Sequence, residues 1–297
     1  MSLPVTAARS DREQFEPTDW GLFFAMSFIW GSSYLLIDIA LGAFHPGLIT
    51  WIRVGLGALA LAVLPTARIR FAPEDRRKVL WLSIVWVGVP FTLFPLAQQY
   101  INSAVTGMLN GAVPIFTAVI GGLFFGRPSR GPQRLGLSIG FVGIVAVSLS
   151  SGAAGESAFI GVAMVLFATL CYGVATNIAG PIQHKYGSVP VMARMLLLAT
   201  IWTTPFGMLG VANSSLTLSA ATATVVLAVV CTGLAFVLMA TLVGRVGGPR
   251  ASFITYLIPV ISLALGVIFR GDLVTAAAIA GSVLVIVGAI LASRREA

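Results

Sequence analysis

Ten apolar runs dominate this chain, and they restrict it to one kind of fold. They lie at approximately 19–41, 46–65, 79–97, 101–125, 134–150, 158–180, 189–211, 220–243, 250–269 and 274–292. A helix needs about 20 residues to cross roughly 30 Å of hydrocarbon. It also satisfies its own backbone hydrogen bonds there, which few other structures can do. The pattern therefore predicts an all-α, polytopic integral membrane protein with ten transmembrane helices. The run 134–150 is the shortest and is rich in glycine, and only Arg270-Gly271-Asp272-Leu273 separates the last two runs. No connection is long enough to hold a soluble module. Charged residues make up 9% of the chain, against about 25% in a soluble domain, so most of the surface has to face lipid.

The formal net charge is +8. A nucleic-acid partner would need those basic residues clustered on one solvated face, and here they are scattered through short gaps between apolar runs. With the N-terminus in the cytosol, connections on that side hold 15 of the 18 Lys and Arg, and the opposite connections hold Arg270 alone. Basic residues collect on the cytoplasmic side of a membrane. The expected topology thus has both termini cytoplasmic, in a bacterial-type inner membrane. Residues 1–18 lack the apolar core of a signal peptide and are expected to form a disordered cytosolic tail.

The chain repeats itself. Asn110-Gly-Ala-Val-Pro114-Ile-Phe-Thr117 matches Thr255-Tyr-Leu-Ile-Pro259-Val-Ile-Ser262 at an offset of 145. The same offset aligns Gly121 with Gly266, Gly126 with Gly271, Gly136 with Gly281 and Gly143 with Gly288. Two five-helix units follow, 19–150 and 151–297. Five is odd, so the second unit must cross the membrane in the opposite sense to the first. Arg127, expected inside, then aligns with Asp272, expected outside. Inverted repeats around a shared midplane site can expose that site to each side in turn, although duplication can also simply build a bundle.

The segments Trp30-Gly-Ser-Ser-Tyr34, Pro95-Leu-Ala-Gln-Gln-Tyr100 and Val105-Thr-Gly-Met-Leu-Asn-Gly-Ala-Val-Pro114 resemble the EamA domain of the drug/metabolite transporter (DMT) superfamily. Gly126 and Gly136…Gly143 continue the pattern, and Tyr172-Gly173, Pro259 and Gly271-Asp272 repeat it. The resemblance covers the chain after residue 18, and within the superfamily it is most similar to YddG-type exporters of aromatic and other amino acids. Arg127 departs from the family, which usually has Glu there. The resemblance implies a basket in which helices 1–4 and 6–9 enclose a central cavity while helices 5 and 10 support it from outside.

Ionisable residues inside a membrane are costly and mark sites worth weighing. Three fall within the runs: Asp38, Arg53 and Arg194. Asp38 and Arg53 come out about 5 Å apart in depth at 1.5 Å per residue, so an ion pair between them is expected. It would act either as a post between the first two helices or as an outer gate or protonation site. Arg194 is expected to snorkel to the cytosolic interface. Trp30, Tyr34 and Asp38 share one helical stripe, and the substrate-cavity candidates are Trp30, Tyr34, Asp38, Gln98, Gln99, Asn110, Tyr172, Asn177 and Tyr256. Aromatic faces there could hold an ammonium group or simply pack helices. Pro114 and Pro259 are expected to bend their helices beside the cavity.

With no intramembrane Lys and only two intramembrane Arg, a multiply anionic substrate is disfavoured. A neutral or zwitterionic solute with an apolar side chain fits better. Cys171 and Cys231 read as packing residues, and no metal site, phosphate loop or catalytic signature is present. The expectation is a secondary transporter, not an enzyme, that exports amino acids by alternating access with no cofactor and no ATPase subunit. Its partners would be the substrate and membrane lipid. A multidrug or metabolite exporter is the nearest alternative, and a membrane channel is the next.

Overall fold

The computed structural model describes residues 16–126, 131–149 and 156–293. The bulk of the expected N-terminal tail and Arg127, which entered the inversion argument, lie outside the described residues. Among the described residues all regular structure is helical. Seven helices are long and apolar enough to cross a membrane. These are α1 (Pro17–Leu41), α3 (Pro73–Ala97), α4 (Ser103–Phe124), α5 (Pro132–Leu149), α6 (Ala158–Tyr186), α7 (Ser188–Ala212) and α8 (Leu218–Val246). Three shorter apolar helices complete the order: α2 (Pro46–Ala62), α9 (Ile254–Arg270) and α10 (Ala276–Ala292). The glycine-rich run near 134–150 does form a helix, and the run expected to end at 180 continues to Tyr186.

Local chemistry sets several of the boundaries. Pro17, Pro46 and Pro73 sit in the first turn of their helices, where the missing N–H has no intrahelical partner to lose. The Asn102 carboxamide oxygen accepts from the Val105 N–H at 2.9 Å and caps α4. His45 Nδ1 caps α2 by accepting from the Gly47 N–H at 3.1 Å. Wide π-helical turns interrupt α3 at Ser83–Gly88, α8 at Val229–Leu234 and α9 at Gly266–Arg270. Such turns shift the register of the side chains that follow.

Eight helices close into a ring in which each packs on its two neighbours, in the order α1, α9, α4, α6, α3, α7, α2, α8 and back to α1. Helices α5 and α10 pack against each other beside the ring, where α10 also meets α4. Exchanging each helix with the one five places away leaves the ring order and the α5–α10 pair unchanged.

The ring and its flanking pair are joined through small residues. A Cβ added at Gly143 would fall 2.6 Å from the Gly281 carbonyl oxygen, and one at Gly136 would fall 2.7 Å from that of Gly288. Backbone therefore lies on backbone, as small residues allow. Gly107 and Gly111 of α4 meet Ser262 and Pro259 of α9, and Gly207 and Gly210 of α7 meet Trp51 and Leu48 of α2. In all three pairs (α2 with α7, α4 with α9, α5 with α10) ascending numbers on one helix meet descending numbers on the other. These pairs run antiparallel.

Hydrogen bonds and ion pairs gather at the two ends of the bundle. At one end the Arg270 guanidinium pairs with Asp38. There the Asp272 carboxylate accepts from the Ser103 hydroxyl at 2.8 Å and the Ala104 N–H at 3.0 Å, and Ser215 N–H donates to the Ala43 carbonyl at 3.0 Å. At the other end Asp75 accepts from Lys185 at 2.7 Å and from the Tyr186 hydroxyl at 2.9 Å, and Arg245 pairs with Asp19 and Glu16.

Candidate substrate site in the ring interior

Contacts between helices that are not neighbours in the ring have to cross its interior, and they define the site. Tyr34 of α1 meets Phe94 of α3 edge-on, with ring centroids 5.6 Å apart. Phe94 in turn lies 6.0 Å from Tyr172 of α6. The Arg53 guanidinium of α2 sits 3.8 Å from the centroid of Phe91 of α3. Trp30 and Phe236 close the α1–α8 side at 6.1 Å. Phe91, Phe94 and Gln98 share one stripe of α3 at i, i+3 and i+7, so the helix presents two rings and an amide to the same space.

Arg53 is the centre of this cluster and is only 6% exposed. Its Nε donates to the Thr232 hydroxyl at 3.1 Å. That hydroxyl spends its own hydrogen on the Leu227 carbonyl at 3.0 Å, an i−5 bond that belongs to the wide turn of α8. Thr232 is thereby fixed as an acceptor. A guanidinium carries five N–H donors, and among the described residues the other four have no protein acceptor and no carboxylate pairs with them. Arg53 thus places a cation without an anionic partner in the interior.

Gln98 and Asn110 are also unpartnered, as is the indole N–H of Trp51. Both amide atoms of Gln98 and the Oδ1 of Asn110 are buried without a hydrogen bond. A buried polar atom left unpaired costs about 1–3 kcal/mol, so these groups are poised to take a ligand or water. By helix rise, Asn110 lies about 10 Å from the start of α4 and Arg53 about 10 Å from the start of α2, at one depth.

The expected residues sort into three groups. Trp30, Tyr34 and Tyr172 lie in the cluster, Gln98 shares the stripe of Phe91 and Phe94, and Asn110 is buried on α4 at the depth of Arg53. Asn177 instead ties α6 to α4, donating to the Thr117 carbonyl at 3.0 Å. Two candidates point elsewhere: Gln99 is exposed at the end of α3, and the Tyr256 hydroxyl donates to the Ala289 carbonyl of α10 at 3.3 Å, away from the ring. The expected Asp38–Arg53 pair is corrected, since Asp38 pairs with Arg270 while Arg53 turns to Phe91 and Thr232. Around the prolines, α4 is interrupted at Gly111–Ala112 just before Pro114. Pro259 sits inside a continuous helix and packs on Gly111. Phe91, Phe94, Phe236 and Thr232 were not singled out by sequence; the 3-and-4 spacing of Phe91, Phe94 and Gln98 was the available signal.

The model of the EamA-like transporter family matches the chain twice, over residues 20–149 and 159–294. The chain belongs to the EamA-like transporter family. It is a multi-pass transmembrane transporter, and several relatives named as transporters align along most of its length. An "Uncharacterized transporter" of Archaeoglobus fulgidus is 25% identical over 90% of this chain and 95% of its own. The "Uncharacterized transporter YvbV" of Bacillus subtilis is 25% identical over 90% and 89%. A "Probable terminal-alkyne amino-acid exporter" of Streptantibioticus cattleyicolor is 22% identical over 90% of each. A crystal structure of a protein 18% identical in sequence superposes with a TM-score of 0.65, covering 94% of this chain and 97% of that one. It shares the fold.

Proposed function

We propose that this EamA-like transporter exports amino acids, aromatic and other neutral ones, across a bacterial-type inner membrane by alternating access. The observation that carries the reading is Arg53, a buried cation with four unused donors set among Phe91, Phe94, Tyr34 and Tyr172. A carboxylate fits the guanidinium fork, the aromatic faces fit an apolar side chain, and the free oxygens of Gln98 and Asn110 fit an ammonium group. The named amino-acid exporter among the relatives supports the same class. A carrier of cationic drugs would set its substrate against Arg53, so a drug exporter is the weaker reading.

The transport cycle we infer rests on two inverted halves, 19–150 and 151–297, each supplying five of ten spans. The antiparallel pairs α2/α7, α4/α9 and α5/α10 support that symmetry, as does the double family match. The basic connections support a cytoplasmic Asp75 end. At the Asp38 end α1 packs on α4, and Gly107 meets Ser262 and Tyr34. Among the described residues no comparable packing joins α6 to α9, the corresponding pair at the other end. This asymmetry supports a state closed to the outside and poised to open inward.

Uptake into proteoliposomes tests the function with Phe, Thr, Met, Glu and a cationic dye, with and without a pH gradient. Saturable uptake and counterflow of Phe, Thr and Met are expected. Dye transport without amino-acid transport would overturn the assignment, and non-saturable flux would indicate a channel.

A further inference from the structure

A second concave site lies on the other face of α2. Helix α2 forms the floor of a groove, α7 and α8 form its walls, and the cavity is about 1120 Å³. Gly55, Leu59 and Leu197 line it, and Leu59 and Leu197 are 64% and 50% exposed. It faces outward from the ring, where a membrane transporter meets lipid tails. At one end the lining changes to Arg68, Arg70 and Arg194, and no carboxylate contributes to it. Arg68 and Arg70 have no hydrogen bond or ion pair among the described residues, and Arg194 has only the Phe71 ring at 5.9 Å.

We propose that this groove is a binding site for an anionic phospholipid, whose phosphate sits among Arg68, Arg70 and Arg194 and whose tails run along α2 between α7 and α8. The charge pattern selects this occupant. Three unpaired guanidiniums match a phosphate in charge and in hydrogen-bond geometry, and basic pockets between transmembrane helices suit anionic headgroups. A soluble anion would leave the apolar remainder of the groove empty. The tails of one leaflet extend about half of the 30 Å hydrocarbon, which covers the groove from the arginines past Leu59 to about Gly55. The bound lipid rests against the back of the helix whose opposite face carries Arg53, so its presence steadies the position of the substrate anchor.

Native mass spectrometry of the full chain, released from nanodiscs that mix phosphatidylglycerol with phosphatidylcholine, tests this. The expected result is retention of one phosphatidylglycerol in preference to phosphatidylcholine, undiminished by millimolar inorganic phosphate. Each arginine near an anionic headgroup is worth about fivefold in binding. R68Q/R70Q/R194Q should therefore cut retention by on the order of 100-fold, and the charge-matched control R76Q/R77Q/R134Q should not. Gly55→Leu leaves the arginines in place and fills the groove; its Cβ would lie 3.6 Å from the Thr200 methyl, an ordinary contact. It too should lose the lipid. Equal retention of the two lipids, full retention by either groove variant, loss in the control, or displacement by phosphate would each overturn the proposal.

Discussion

Replacing Arg53 separates a substrate anchor from a structural post, because the two roles predict opposite balances of stability and transport. An Arg placed centrally in a transmembrane helix costs about 2.5–3.5 kcal/mol. In this fold that cost is met by stacking on Phe91, about 2 kcal/mol when desolvated, and by one charge-assisted bond to Thr232, about 1.5–3 kcal/mol. The terms leave a net of about 0–2.5 kcal/mol in favour of the arginine, so Arg53→Met should lower the thermal stability in detergent only modestly. A carboxylate bound by the terminal amino groups gains two charged hydrogen bonds, together about 3–6 kcal/mol. Transport of Phe by the variant should fall by about 100-fold or more, read as counterflow into proteoliposomes. Arg53→Lys keeps the charge but not the planar fork and should retain partial activity. The two polar poles add a sharper readout: the wild type should bind Phe in preference to its decarboxylated analogue, and Arg53→Met should lose that preference. A variant that melts early yet keeps its preference would show that Arg53 holds the helices and does not touch substrate.

Three other substitutions probe the frame around that site. Gly143→Val drives a side chain into the Gly281 carbonyl and Val285 N–H of α10, both 2.6 Å from the added Cβ. Backbone cannot yield as a side chain can, so destabilisation should exceed the usual 1–3 kcal/mol of overpacking, and an unchanged melting temperature would refute backbone contact there. Asp38→Asn removes a partly exposed pair with Arg270, worth up to about 1 kcal/mol. In a chain with Cys171 and Cys231 replaced by alanine, labelling of Ser262→Cys from the Asp38 side should then rise by up to about fivefold; no rise would mean that the pair does not hold that end shut. Tyr256→Phe should leave transport intact because its hydroxyl serves α10, whereas Tyr34→Phe and Tyr172→Phe alter the ring interior. Equal losses in all three would return Tyr256 to the substrate site.

What the sequence showed clearly was set by period and length. Every expected run is helical over most of its length, because an apolar stretch in lipid has no other local solution, and even the glycine-rich run near 134–150 folds. The glycines that marked the repeat, Gly136, Gly143, Gly281 and Gly288, are where α5 and α10 touch. Side-chain direction was less legible. Gln99 and Gln98 are adjacent in sequence, yet one is exposed and the other buried, since a step of one residue turns a helix by about 100°. Tyr256 aligns with Gly111 of the other half, so the repeat offers no counterpart for its hydroxyl, which turns outward to α10.

The Asp38–Arg53 expectation failed for a reason that applies to the whole fold. Depth along a helix can be counted from sequence at about 1.5 Å per residue, and on that axis the two residues do match. Azimuth cannot be counted, and the pairing assumed that helices consecutive in sequence are neighbours in space. In the ring they are not, because α8 stands between α1 and α2, and α9 is the other neighbour of α1. Asp38 accordingly finds its cation on α9, as Arg270, and Arg53 reaches a hydroxyl of α8. Each half places its helices in the gaps of the other, so polar partners come from across the repeat. Arg53 is the case in which that rule supplies a hydroxyl, on Thr232, but no anion. Its aromatic face, Phe91, comes from its own half, and the cation so left is the group to which the proposed cargo would bring its carboxylate.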